Sequence, residues 1–304
     1  MNLNELAIEL LEKNEYEESL KLFKKAVQVS RNVQSLNNLA WIYIYEEEDT
    51  ETAFELMKEV IEMKPSSHFS YNLLGEIYIK KKMWGNASSI LLQSITIQPS
   101  MEAYKNLGIA NYYFRELKEA SEYLLMGASN SDYYMYGHIK CLIEMGNTTE
   151  AKRKLDLFSE EDENFIGEIE VAELYIEMGC FKEAIVWFEK CWKVYSDEPR
   201  WISRYVYCLL KVSSLTSAQE IISKVIEQTN ELIQDVLDEE CDKGWTKSDK
   251  EERVSELISN KEEYNHVIEK IMSGYIPQIE FEIPIATDCY LFGCQRHKHP
   301  EYEG

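Results

Sequence analysis

The chain has 304 residues, 32 of them basic and 55 acidic, for a net charge of −23. That sign is wrong for a nucleic-acid binder, whose affinity comes largely from Lys and Arg displacing phosphate counterions. It suits a protein or peptide partner, above all a basic one, since opposite charge steers association. No run of about 18 apolar residues is present, so neither a membrane span nor membrane association is expected. The opening Met1–Glu5 carries no basic region or cleavage site, so no signal peptide is expected either. Seven cysteines make an odd set, and Cys141, Cys180, Cys191 and Cys208 fall inside helical patterns. A cytoplasmic, reducing setting fits them better than a disulfide framework.

In chain order, the first helix pair is expected at Asn2–Lys13 and Tyr16–Ser30, with Leu6, Leu10, Leu20, Phe23 and Ala26 on one buried face. A second pair runs from Leu36 to Pro65. Its acidic turn, Glu46 to Thr50, holds one extra residue, and Asp49 or Thr50 can cap the following helix. A third pair spans Tyr71–Pro99 and a fourth is built around Tyr104, Leu107, Gly108 and Ala120. The fifth is short, from Tyr133 to about Phe158, and an acidic cluster, Ser159 to Asn164, follows it. The sixth covers Ile166–Tyr195 and the seventh begins at Trp201, its second helix running on to Asp242. A long polar helix is expected over Lys247–Met272, and Ile279–Ile283 alternates like a strand between Pro277 and Pro284.

One period links the pairs. A small residue recurs at Ser19, Ala53, Ala87, Ala120, Ala151, Ala184 and Ala218, at spacings of 34, 34, 33, 31, 33 and 34. Four residues after each comes a large apolar side chain: Phe23, Met57, Leu91, Leu124, Leu155, Phe188 and Ile222. With Tyr71, Leu74-Gly75, Tyr78, Ala87, Leu91 and Pro99, this resembles the tetratricopeptide repeat (TPR), a helix–turn–helix unit of about 34 residues. The resemblance covers residues 2–229 and implies an all-α, right-handed α-solenoid of about seven repeats. The expected division is a repeat array over 1–242, a capping helix over 243–273, and an irregular tail over 274–304.

The resemblance also implies that the first helix of each pair lines a concave groove that takes an extended peptide or a partner helix. The residues placed there for partner binding are Asn37, Trp41, Tyr45, Phe69, Asn72, Lys105, Tyr112, Tyr113, Tyr136, Lys140 and Tyr207. Tyr and Trp suit an interface because they offer large contact area at low entropic cost. Some family members grip a C-terminal carboxylate through paired Lys, Asn and Arg; here Asn37, Asn38 and Asn106 are present without the basic array.

The tail carries Cys289, Cys294, His297 and His299 within eleven residues. Thiolates and imidazoles suit tetrahedral zinc in a small structural clip, with Gly293 easing the turn. The same residues also fit a flexible tail with free thiols, or a Cys289–Cys294 disulfide. No phosphate loop, nucleophile elbow or H-E-x-x-H motif is present, so no catalytic residues are assigned and no enzyme is expected. The expected function is a protein-interaction scaffold with an aromatic, acidic groove. The alternative is an acidic inhibitor or immunity-type protein that covers a basic partner such as a toxin or nucleic-acid enzyme.

Overall fold

The computed structural model describes residues 2–129, 131–195 and 198–303. Among them are fifteen α-helices and no strand. In chain order they are α1 (Leu3–Glu12), α2 (Tyr16–Val29), α3 (Val33–Tyr45), α4 (Thr50–Glu62), α5 (His68–Lys80), α6 (Trp84–Ile97), α7 (Met101–Tyr113) and α8 (Leu117–Ala128). Then come α9 (Asp132–Glu144), α10 (Thr148–Leu155), α11 (Glu168–Glu177), α12 (Phe181–Tyr195), α13 (Pro199–Lys211), α14 (Leu215–Asp238) and α15 (Lys247–Met272). The all-α series of helix pairs expected from the repeat is therefore present.

The repeat residues form the seams of the pairs. All seven small residues, Ser19 through Ala218, are completely buried, and six of their apolar partners are as well. Ser19 is tolerated in an alanine's place because its hydroxyl donates to the carbonyl of Ala7 at 2.7 Å. Gly75 and Gly108 permit the closest helix approach: a Cβ on Gly108 would lie 2.6 Å from Leu124 Cγ and 2.9 Å from the Leu124 backbone nitrogen.

Each pair turns through one residue in the left-handed region: Asn14, Glu48, Lys82, Arg115, Gly146, Gly179 and Ser213. In six turns the next amide bonds the carbonyl five residues back, as in Glu15 to Leu10 and Met83 to Tyr78, which satisfies an orphan carbonyl at the helix end. In the acidic turn the bond runs from Asp49 to Tyr43, six residues, so the extra residue is absorbed there. Asp49 is the cap, accepting from the amide of Thr52 at 2.9 Å.

The chain divides into two compact units: residues up to Asn147 together with those from Ile283 onward, and Thr148–Glu282. The first holds α1–α9 and the tail from Ile283 onward, the second α10–α15 and the chain up to Glu282. Within the second, α15 packs on α13 and α14. Helix α14 stops at Asp238 rather than Asp242, because Lys250 Nζ, at 2.6 Å from each, takes up the carbonyls of Leu237 and Glu239. Ile279–Ile283 alternates between inward and outward side chains as read, yet pairs with no strand.

Candidate functional site

The first helices of the pairs in the first unit, α3, α5, α7 and α9, present one face to the chain's own residues 283–303. The contact is a backbone clamp. Tyr134 donates its hydroxyl to the carbonyl of Pro284 at 3.5 Å, and Asn106 Nδ2 donates to that of Ala286 at 2.7 Å. Trp41 Nε1 reaches the carbonyl of Asp288 at 3.2 Å, Asn37 Nδ2 that of Tyr290 at 2.8 Å, and Asn38 Nδ2 that of Phe292 at 3.0 Å. Every second carbonyl from 284 to 292 is thus engaged, the period of an extended chain whose alternate peptide groups share a side. Two asparagines complete the pairing: Asn106 Oδ1 accepts from the amide of Ala286 at 2.9 Å and Asn38 Oδ1 from that of Phe292 at 2.8 Å. Carboxamides offer a donor and an acceptor together, so here they replace a neighbouring strand.

Side chains fill the spaces between the clamps. Ile283, Ala286, Tyr290, Leu291 and Phe292 are all buried. Phe69 packs its ring against those of Tyr290, Phe292 and His299, at 5.7, 5.4 and 4.7 Å between centroids. Gly137 leaves room for the tail, since a Cβ there would meet Ile283 Cδ1 at 2.6 Å.

Beneath Tyr290 lies Glu76, fully buried on α5 and accepting from the hydroxyl of Tyr45. Burial lifts its carboxyl from an ordinary 4.5 to about 8, against the pull of Tyr45, Tyr290 and Lys80. At neutral pH Glu76 is therefore mostly protonated beside the Tyr290 phenol, whose own ionisation burial pushes well up. The folded unit keeps a proton that the unfolded chain releases between about pH 4.5 and 8, so stability should fall as pH rises through that window and level off above it. Glu76→Gln should flatten this dependence. Urea midpoints for both proteins from about pH 5 to pH 9 check it, and parallel curves would sink the assignment.

Of the other residues placed in the groove from sequence, Trp41 and Tyr45 lie together, ring centroids 4.9 Å apart. Asn72 is buried but turned to its neighbours, accepting from Ser94 Oγ and donating to Ser100 Oγ at 3.2 Å. Lys105 sits over the Tyr134 ring at 4.8 Å. The Tyr112 hydroxyl donates to Glu144 at 2.6 Å, Tyr113 stacks on Trp84 at 4.5 Å, and Lys140 pairs with Glu144 at 3.7 Å. Tyr136 is buried on α9. Tyr207 belongs to the second unit, where it borders a cavity of about 610 Å³ with Ile271, Met272 and Tyr275.

Asn38, Asn106 and Tyr134 are the clamp residues that the partner-binding set omits. A signal for the first two stands in the sequence: asparagines at 4, 38, 72 and 106 are each 34 residues apart, on the repeat period itself. Of the four tail ligands, Cys289, Cys294 and His297 converge, their ligand atoms all within 4.8 Å. His299 does not join them, because its Nδ1 is 3.2 Å from the carbonyl of Leu291 and its ring is on Phe69.

Two tetratricopeptide-repeat family models match the sequence, at residues 3–33 and 33–67. No curated protein matches the chain. Among solved structures, a tetratricopeptide repeat protein from Parabacteroides merdae is 14% identical, with 81% of this chain and 94% of that one covered at a TM-score of 0.53. Yeast Tom70 is 15% identical over 90% of this chain and 56% of its own, at 0.45. YrrB, a TPR protein described as having an unusual peptide-binding site, is 16% identical over 67% and 91%, at 0.38. No helix among the described residues is long and apolar enough to cross a membrane. The family models thus mark residues 3–67 as tetratricopeptide repeats, and the same helix pair recurs after them among the described residues.

Proposed function

We propose that the face built by α3, α5, α7 and α9 is a binding channel for an extended segment of a partner protein, and that residues 284–292 are its resident ligand. The engagement of every second carbonyl by Tyr134, Asn106, Trp41, Asn37 and Asn38 carries this reading. A clamp on the backbone tolerates many sequences. Selectivity would come from the sites of Ala286, Tyr290 and Phe292, so a partner should offer a small residue, an aromatic four positions on, and a second aromatic two beyond. The protein is then an interaction scaffold, and its acid surplus favours a basic partner.

A tethered ligand competes at an effective concentration in the millimolar range, so a partner must bind well to displace it. The test loosens the resident segment without touching the channel. A labelled peptide of residues 283–303 is titrated into the full chain and into its Tyr290→Ala/Phe292→Ala form. The variant should bind at least about tenfold more tightly than the wild type. Equal affinity for the two proteins, or no binding to either, would contradict the channel.

A further inference from the structure

Cys289, Cys294 and His297 are brought together from three positions of one short loop. His297 Nδ1 is 3.3 Å from Cys294 Sγ, and no pair of ligand atoms in the three exceeds 4.8 Å. Around a tetrahedral zinc, with bonds of about 2.3 Å to sulfur and about 2.0 Å to nitrogen, ligand atoms stand roughly 3.5–3.8 Å apart. Shifts of about an ångström would close the three onto one ion.

The loop is already shaped for this. Gly293 turns through φ +85°, its amide bonds the carbonyl of Pro300 at 2.9 Å, and the His299 amide bonds that of Cys294 at 2.9 Å. Residues 293–300 are thereby closed into a ring that holds Cys294 and His297 on one side. That side opens on a cavity of about 300 Å³ bordered by Glu12, Tyr16, Trp41 and Glu46. Glu12, the last residue of α1, lies with Oε1 3.8 Å from Cys294 Sγ and 3.4 Å from the amide of Arg296.

We propose that Cys289, Cys294 and His297 form a zinc site whose fourth ligand is the Glu12 carboxylate. Two thiolates and an imidazole select zinc over the hard cations, which prefer oxygen. Binding releases the two thiol protons, leaves His297 neutral and coordinating through Nδ1, and changes no oxidation state. The ion would join α1 to the loop that follows Phe292, and so hold the resident segment at that end. The site stands or falls separately from the channel's capacity for other segments.

The test uses the full chain, reduced and stripped of metal, titrated with Zn²⁺ and with Co²⁺ alone. One equivalent should bind, and the cobalt form should show thiolate charge transfer with tetrahedral ligand-field bands. Cys289→Ser and His297→Ala should each weaken zinc by more than the ~10–100-fold that outer-shell changes produce. His297 is exposed, so its loss leaves the fold intact. Glu12→Gln should weaken zinc by about tenfold, water taking the vacant position, and Cys241→Ser, at an exposed thiol elsewhere, should change nothing. No binding by the wild type, equal binding by Cys289→Ser or His297→Ala, or a cobalt spectrum without thiolate bands would overturn the site.

Discussion

Asn38→Ala should cost the first unit about 2–4 kcal/mol and free the segment around Phe292 to exchange with solvent. Asn38 is fully buried, and it both donates to the carbonyl of Phe292 at 3.0 Å and accepts from its amide at 2.8 Å. Alanine removes both partners at once. Each stranded backbone group then costs about 1–3 kcal/mol, and partial release of the tail into water limits the sum. Asn72→Ala is the control, because its carboxamide serves Ser94 and Ser100 rather than the tail. It should lower stability while leaving the Phe292 amide protected. A small stability change for Asn38→Ala, with exchange at Phe292 unaltered, would show that the carboxamide is not a clamp.

Arg204→Ala should be the most damaging single change in the second unit, at about 3–5 kcal/mol. Arg204, on α13, pairs with the carboxylate of Glu173, on α11, and its Nε donates to the carbonyl of Gln278 at 2.9 Å. Both side chains of the ion pair are nearly inaccessible, at 10% and 4% exposure. Truncation leaves a buried acid without its counter-charge. Burial already lifts the Glu173 carboxyl to about 7, with Arg204 the main force opposing it. Without the guanidinium that carboxyl rises further, so the unfolded chain is ionised over a wider range in which the folded acid is not. The loss from Arg204→Ala should therefore deepen as pH rises above about 7, where the wild-type acid ionises and the variant's does not. Adding Glu173→Gln should recover part of it, since an amide carries no charge to bury. Hydrogen exchange across α11 and α13 reads all three proteins, and an unchanged Arg204→Ala profile would refute the argument.

The repeat was legible because its residues do one job wherever they occur. Ala53, Ala87 and Ala120 are completely buried at the same position of each pair, and close packing leaves a periodic record. The extra residue between α3 and α4 was legible for a similar reason, since the turn absorbs it in a single longer hydrogen bond. The end of α14 was not, because the cation that takes up its carbonyls, Lys250, comes from the next helix. The alternation at Ile279–Ile283 marked an extended chain without saying what it meets. Farther on, the extended tail meets asparagines on two earlier helices, α3 and α7, rather than a strand, a tertiary fact with no local signature. The repeat pattern points Trp41, Asn37 and Phe69 at another molecule, and in this chain their contact is with residues 288–299. The asparagines at 38, 72 and 106 share one register, yet only the outer two reach the tail. Periodicity marks candidates for a clamp, and the path of the bound segment decides which are used.

Native-state hydrogen exchange at the amides of Ala286 and Phe292 in the full chain is the most direct measurement of the seated tail. Both amides donate to buried asparagine oxygens, so both should exchange far more slowly than open amides, and Asn106→Ala should release Ala286 while Asn38→Ala releases Phe292. Exchange of the two amides at the rate of an unprotected chain would mean that the tail does not occupy the face of α3, α5, α7 and α9, and the account of the channel would be wrong.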